Sequence, residues 1–295
     1  MDEKTLEGII IKGIGGFYYV EAANQTFCCK ARGLLRKQKI TPLAGDRVII
    51  SINRAGENTV DEILPRSNFL LRPPIANAGR LIIVSSVVTP KPVPYLIDRL
   101  TVIAVNKGIE PVVVFSKSDL SDTSQYTRMY KNVGIPVFSV STVTHEGKEK
   151  LIKVISDKIN VFTGNSGVGK SSLLNILSLD INLKTGEISQ KLGRGRHTTR
   201  EVELFKFREG YIADTPGFSA LETQGAEAIP KENLQFCFPE FLPLLGKCKF
   251  SSCTHTGDLG CVIAQAAERG DISKSRFESY KAMYKQAKNT EDWSE

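Results

Sequence analysis

Long apolar runs are missing from this 295-residue sequence, and none approaches the roughly 18 residues that a bilayer-spanning helix requires. The opening Met1-Asp2-Glu3-Lys4 has two acids beside one base and no apolar stretch behind it, so neither a secretory signal nor a transit peptide is expected. Internal repeats and low-complexity tracts are lacking too. Acids are in deficit, with 32 Asp and Glu against 39 Lys and Arg, and the resulting charge of +7 favours polyanionic partners such as nucleic acid. Cysteine is sparse: six residues in a chain expected to be cytoplasmic point to metal ligation or buried thiols, not to a disulfide framework. Hydrophobic residues at 41% and charged residues at 24% are nevertheless enough for sizeable cores, which argues against disorder. The length suits about two domains, or three if some are small.

The pattern changes twice along the chain. Up to about residue 65, short β-rich runs (8–11, 17–20, 26–29, 46–50 and 59–63) are separated by Gly, Asn and Pro, as a five-stranded OB-fold barrel requires. Within it, Lys30 to Lys39 carries five basic residues and no acid, a candidate phosphate-contacting loop or else a solvated one. Arg66 to Pro74, with Pro65, Pro73 and Pro74, reads as a linker. Strand-like runs at 81–88, 111–115, 136–140 and 159–162 are separated by a helix-like stretch at 93–106, a polar stretch, and a second helix-like stretch at 148–157, and 202–207 and 211–213 complete a mainly parallel sheet. Beyond about residue 225 helical stretches surround a group of Cys and His. The expected architecture is therefore multidomain α/β: an N-terminal OB-fold barrel over 1–65, an α/β domain over 66–224 and a helical Cys/His-bearing domain over 225–295, which the motifs below make a P-loop GTPase domain and a zinc-binding domain.

Gly164-Asn165-Ser166-Gly167-Val168-Gly169-Lys170-Ser171 matches the phosphate-binding loop in full, after an apolar strand and at the head of a helical stretch that continues through Ser172. Its glycines let backbone N–H groups turn towards phosphate, Lys170 bridges the β- and γ-oxygens, and the Ser171 hydroxyl binds Mg²⁺. Asp214-Thr215-Pro216-Gly217 follows a strand where a Walker-B aspartate belongs, with Asp214 holding Mg²⁺ through water and the Gly217 N–H sensing the γ-phosphate. Ser116-Lys117-Ser118-Asp119 resembles the guanine-recognition sequence Asn-Lys-x-Asp, in which the carboxylate accepts from N1–H and the 2-amino group of guanine. Lys117 would lie along the base. Ser116 stands where Asn is usual, which shortens or removes a side-chain link to the phosphate loop. Ser139 and Ser141, after the next strand, are candidates for the accompanying base-contact loop.

The guanine sequence precedes the phosphate loop, which makes this a circularly permuted GTPase; neighbouring domain termini allow such a rearrangement without dismantling the pocket. Gly193-Arg194-Gly195-Arg196-His197-Thr198-Thr199 lies where a switch I loop belongs, so Thr198 or Thr199 supplies the second Mg²⁺ hydroxyl. Phe218 occupies the place of a water-orienting Gln, and its ring cannot orient water. His197 is the candidate catalytic residue, with a solvated loop histidine as the alternative. Cys248, Cys253, His255 and Cys261 form Cys-x4-Cys-x-His-x5-Cys, three sulfurs and an imidazole suited to one structural zinc.

The permuted order, the Gly-Arg-Gly-Arg-His-Thr-Thr segment, the Cys/His ending and Arg72-Pro73-Pro74-Ile75-Ala76-Asn77 together resemble the ribosome small subunit-dependent GTPase family, RsgA, also called YjeQ, over nearly the whole chain. The resemblance implies GTP hydrolysis stimulated by the small (30S) ribosomal subunit late in its maturation, with 16S rRNA contacted by both flanking domains. It also implies a catalytic role for His197. GTP or GDP, Mg²⁺ and one Zn²⁺ are the expected cofactors; a cytoplasmic monomer with no membrane partner is the expected setting. Two other readings stay open on the residues alone. One is an RNA-binding factor whose nucleotide is structural, and the other is a P-loop ATPase or kinase in which Ser116 to Asp119 is accidental.

Overall fold

The computed structural model describes residues 4–33, 35, 40–53, 57–178, 202–214 and 228–291. Strands β1 (Lys4–Ile14), β2 (Phe17–Ala22), β3 (Gln25–Ala31), β4 (Arg47–Ile52) and β5 (Asn58–Ile63) form the N-terminal barrel. Two-residue turns at Gly15-Gly16 and Ala23-Asn24, all with positive φ, match the right-handed twist of the hairpins they close. Strand β1 pairs antiparallel with both β2 and β4, and β3 runs parallel to β5, so the sheet closes on itself. Alternation sends Ile10, Val20, Cys29, Val48, Ile50 and Val60 inward, and all are buried.

The segment expected as a linker is structured. Strands β6 (Phe69–Leu71) and β7 (Pro74–Ala76) pair within it, and the Arg66 fork reaches both oxygens of the fully buried Asp46 at 2.7 Å. Asn77 accepts from the Ser67 N–H and donates to the Gly45 carbonyl, so side chains on both flanks fasten the hairpin to the barrel. Proline and arginine there serve a fixed geometry, not a flexible tether.

Strand β8 (Arg80–Ser86) is buried throughout and lies beside β9 (Glu110–Ser116), which pairs in parallel with β10 (Val137–Val140). Helix α1 (Pro94–Asn106) follows β8 and α2 (Ser124–Asn132) follows β9. Helix α3 (Lys148–Val154) leads to β11 (Ile159–Thr163), and α4 (Lys170–Ser178) follows the glycine-rich turn. Strands β12 (Glu203–Phe207) and β13 (Gly210–Asp214) form a hairpin in which β13 runs parallel to β11. The C-terminal part has α5 (Lys231–Leu234), α6 (Val262–Arg269) and α7 (Lys274–Glu291).

These elements gather into two compact units. One takes the barrel, the hairpin and β11 to β13, with β1 joined to β12 through Lys12 opposite Glu203. The other takes β8 to β10, α1, α2, the phosphate loop and the described residues from 228 onward. In the second unit Val102 of α1 enters a core with Phe238, Phe241, Tyr280 and Ile263. Phe238 and Phe241 stack at 5.0 Å and Tyr280 meets each edge-on, contacts that contribute about 0.5–1.5 kcal/mol per pair beyond burial.

Candidate nucleotide site and metal centre

The phosphate loop is a backbone device. Gly164 follows β11 directly at φ 153°, and a Cβ there would run into the Val84 carbonyl, so a side chain at this position is both strained and without space. The Leu173 N–H then donates to the Gly169 carbonyl at 2.9 Å and starts α4. Val168 anchors the loop in the core, whereas Ser166, Gly167, Ser171 and Ser172 are exposed at the helix N-terminus, where N–H groups and the helix dipole favour an anion. Lys170 begins the helix, half-buried, with Asn165 likewise half-buried.

The guanine loop is tied to this turn by two side chains, so of the two outcomes expected at Ser116 the link is shortened and not removed. The buried Ser116 Oγ donates to the Val168 carbonyl of the phosphate loop at 2.5 Å, and the Ser85 carbonyl lies 3.3 Å away. A serine at the end of β9 needs no longer side chain, because the loop itself comes to the strand. Lys117, at φ 60°, sends Nζ to the Gly167 carbonyl at 3.0 Å and to the Thr89 carbonyl at 2.5 Å. Asp119 is exposed two residues on.

Ser139, within β10, and Ser141, just after it, are both engaged within the protein. Ser141, fully buried, accepts from the N–H groups of Val143 and Thr144 at 3.1 and 3.0 Å and so shapes its own turn. The Ser139 hydroxyl shares a hydrogen bond with Thr123 at 2.7 Å. In the other unit, Asp214 terminates β13, which matches β11 from Ile159–Tyr211 to Val161–Ala213, so both strands end at one edge of the sheet. His197, Thr198, Thr199 and Gly217 lie outside the described residues, as do Arg194, Arg196, Arg200 and Phe218. Of the basic segment 30–39, Lys30 pairs with Glu57 at 2.5 Å and lies over the Phe17 ring, and Arg32 pairs with Asp61 at 3.4 Å. Arg36, Lys37 and Lys39 also lie outside the described residues.

Cys248, Cys253, His255 and Cys261 converge, with all four donor atoms within 4.8 Å of one another. The sulfurs lie 3.5, 3.4 and 3.6 Å from His255 Nδ1. A tetrahedral zinc with ordinary Zn–S and Zn–N bonds requires about 3.5 Å between these donors, so the set fits the ion. On the outer side, His255 Nε2 is 3.1 Å from Gln235 Oε1 and donates its proton there, which leaves the Nδ1 lone pair facing the sulfurs. Cys261 caps α6, its sulfur accepting from the Ala264 N–H, a position that favours thiolate. Without a cation, burial pushes the Cys253 thiol up to about 12 and holds the His255 imidazole below its usual range. A divalent ion reverses the first of these and uses the second, since it takes thiolates and neutral imidazole.

One buried cluster has no sequence signature. Arg276 of α7, fully buried, donates to Asp98 of α1 at 2.8 Å and grips Glu240 through Nε and Nη2. The Tyr130 hydroxyl of α2 donates to the same Asp98 oxygen at 3.0 Å.

The RsgA GTPase family model matches residues 63–224, and the RsgA N-terminal domain model matches residues 7–60. The small ribosomal subunit biogenesis GTPase RsgA of Geobacillus thermodenitrificans is 46% identical over 280 residues, covering 93% of this chain and 94% of that protein. Its counterpart in Caldanaerobacter subterraneus is 42% identical over 292 residues, 98% of each chain. Among solved structures, YloQ, described as a circularly permuted GTPase, superposes with a TM-score of 0.80 at 33% identity over 97% of this chain and 96% of its own. YjeQ from Thermotoga maritima gives 0.80 at 32% identity over 96% and 99%. With a family model across more than half of its length and relatives above 40% identity along nearly all of it, this chain belongs to the RsgA family of circularly permuted GTPases and is a GTP hydrolase.

Proposed function

We propose that this GTPase binds the small ribosomal subunit late in its maturation, is stimulated by it, and contacts 16S rRNA through its barrel and its metal-bearing domain. The observation that carries the nucleotide part is the double tie of Ser116 and Lys117 to the phosphate loop, which joins a base-reading loop to a phosphate-binding one. The subunit part is supported by the names of the relatives, which are small ribosomal subunit biogenesis GTPases. In this reading residues 1–65 dock on RNA, 66–224 turn over GTP, and 225–295 form a second docking element around one zinc. The protein works as a cytoplasmic monomer.

Residues 164–172 wrap the phosphates, and Asp119 reads the guanine edge, where adenine would leave its carboxylate unpaired. Lys117 lies along the base, and the 139–141 turn closes beside it. Ser171 and Thr198, or Thr199, would hold Mg²⁺ with Asp214 as a further carboxylate for it, and the Gly217 N–H would sense the γ-phosphate. The ion, when bound, neutralises charge on the β- and γ-oxygens. His197 orients the attacking water in place of a glutamine. The exposed Phe17 face of the barrel with Lys30 above it, and Lys249 above Phe250 beside the metal cluster, are surfaces on which unpaired bases can stack.

The test is GTP turnover with and without purified small subunits, for wild type and His197→Ala. Stimulation is expected in the wild type, with turnover in the variant lowered by roughly 10²-fold while GTP binding survives. Unstimulated turnover in the wild type would favour a structural nucleotide, and normal stimulation of the variant would remove His197 from the mechanism.

A further inference from the structure

Helix α1 touches both the nucleotide loops and the metal-bearing region. In the loop before it, Thr89 gives its carbonyl to Lys117 Nζ at 2.5 Å, the same ammonium reaches the Gly167 carbonyl, and Pro90 faces Gly167. The helix begins at Pro94, and in its second turn Asp98 is held by Arg276 of α7 at 2.8 Å. Further along, Val102 enters the C-terminal core and Asn106 faces Cys237. Tyr95, near the start of α1, donates to Gln286 near the end of α7 at 3.2 Å.

From α7 and Cys237 the contacts continue to the metal ligands. The Tyr280 hydroxyl donates to the Thr254 carbonyl at 2.8 Å, between ligands Cys253 and His255. Gln235, in the same short 3₁₀ turn as Cys237, fixes the outer nitrogen of His255. A helix of 13 residues is a stiff rod of about 20 Å, so displacement at one end is delivered to the other. A buried ion pair is poor value as a stabiliser, since desolvation offsets most of its attraction, but its geometry is directional. The Arg276 fork is held by two carboxylates from different parts of the chain, Asp98 of α1 and Glu240, and so fastens α7 to both with directional bonds.

We propose that α1 communicates nucleotide occupancy at Lys117 and the phosphate loop to the metal-bearing C-terminal region, with the Asp98–Arg276 pair as its fastening. The proposal deepens, and rests on, the reading of 116–119 and 164–171 as the GTP pocket. What it conveys is occupancy by the base side of the nucleotide, because Lys117 is the contact, and the small subunit then meets a C-terminal region already set by the nucleotide. By linkage, a subunit engaged with that region alters nucleotide affinity by the same factor.

The test is amide hydrogen exchange of the full-length, zinc-loaded protein, nucleotide-free and GDP-bound, with no ribosomal subunit present. In the wild type, exchange within α7 is expected to differ about fivefold or more between the two states. In Asp98→Asn, whose Oδ1 still accepts from Tyr130 but which reduces the charged pair with Arg276 to a neutral hydrogen bond and leaves the guanidinium to Glu240, that difference should fall below about twofold while GDP affinity is unchanged. Should this variant lose its metal, Arg276→Lys is read the same way, since an ammonium keeps the charge but cannot bridge both carboxylates. Identical α7 exchange in free and GDP-bound wild type overturns the proposal, and so does a full difference retained in Asp98→Asn. Failure of subunit-stimulated turnover leaves it standing; failure to bind GDP at all removes the pocket reading and the proposal with it.

Discussion

Replacing Arg276 by Met keeps the volume and apolar stem of the side chain but strips the charge from between two buried carboxylates. Asp98 is fully buried and the Glu240 side chain nearly so, hence neither can recover hydration in place. Removing one partner of a buried pair costs roughly 3–5 kcal/mol. The unit that contains the pair has about 160 residues, which corresponds to an unfolding entropy of roughly 0.34 kcal/mol per kelvin. The expected fall in Tm is therefore about 9–15 °C, read by circular dichroism at pH 7.5. Its pH dependence has a definite sign. Burial already holds the Asp98 carboxyl above its usual range, against the pull of Arg276, and without that pull it rises further. The folded variant then binds a proton that the unfolded chain releases, so its stability falls as pH rises through that window and its deficit shrinks towards pH 5. Adding Asp98→Asn and Glu240→Gln removes the unmatched charges and should recover more than half of the loss. A fall of less than about 3 °C, or a deficit that grows on acidification, would refute the reasoning.

Ser116→Ala loses the hydroxyl that holds the Val168 carbonyl, and a buried hydrogen bond of this kind is worth roughly 1–3 kcal/mol, so GDP and GTP affinities should drop together by about tenfold; unchanged affinity in calorimetry would show the tie to be incidental. Asp119→Asn should shift preference from GTP towards xanthosine triphosphate, whose C2 carbonyl suits an amide donor, and retained GTP selectivity in competition binding would sink the guanine assignment. Elemental analysis should find one zinc per chain, and a strong chelator should unfold residues 228–291 ahead of the barrel; a metal-free protein in which Cys253→Ser is as stable as wild type would reduce the cluster to buried thiols.

What could be read from the sequence was whatever repeats locally. The barrel strands, the phosphate loop and the Cys/His spacing each lie within a short window, where alternation, glycine and ligand count carry the signal. Helix α2 escaped because only Tyr130 among its nine residues is buried, so no apolar stripe marks it. The segment from Arg66 was misread because its prolines suggested a tether, while Asp46 and Gly45, which fix it, stand some 20 to 30 residues away. Ser116 was undervalued for the same reason, as the link to Val168 depends on how closely the loop approaches the strand. The Asp98–Arg276 pair is the extreme case, since no pattern in either helix names its partner.

That pair also sets a schedule for synthesis. Its two residues are 178 positions apart, and at roughly 5–20 residues per second the ribosome makes Asp98 about 10–40 seconds before Arg276. During that interval α1 carries an unmatched acid and the apolar Val102 on a face whose cover does not yet exist. The nascent GTPase region is thus kept from closing around its final core until nearly the last helix has been made, and chains that stop short of α7 should be soluble only with a chaperone in attendance.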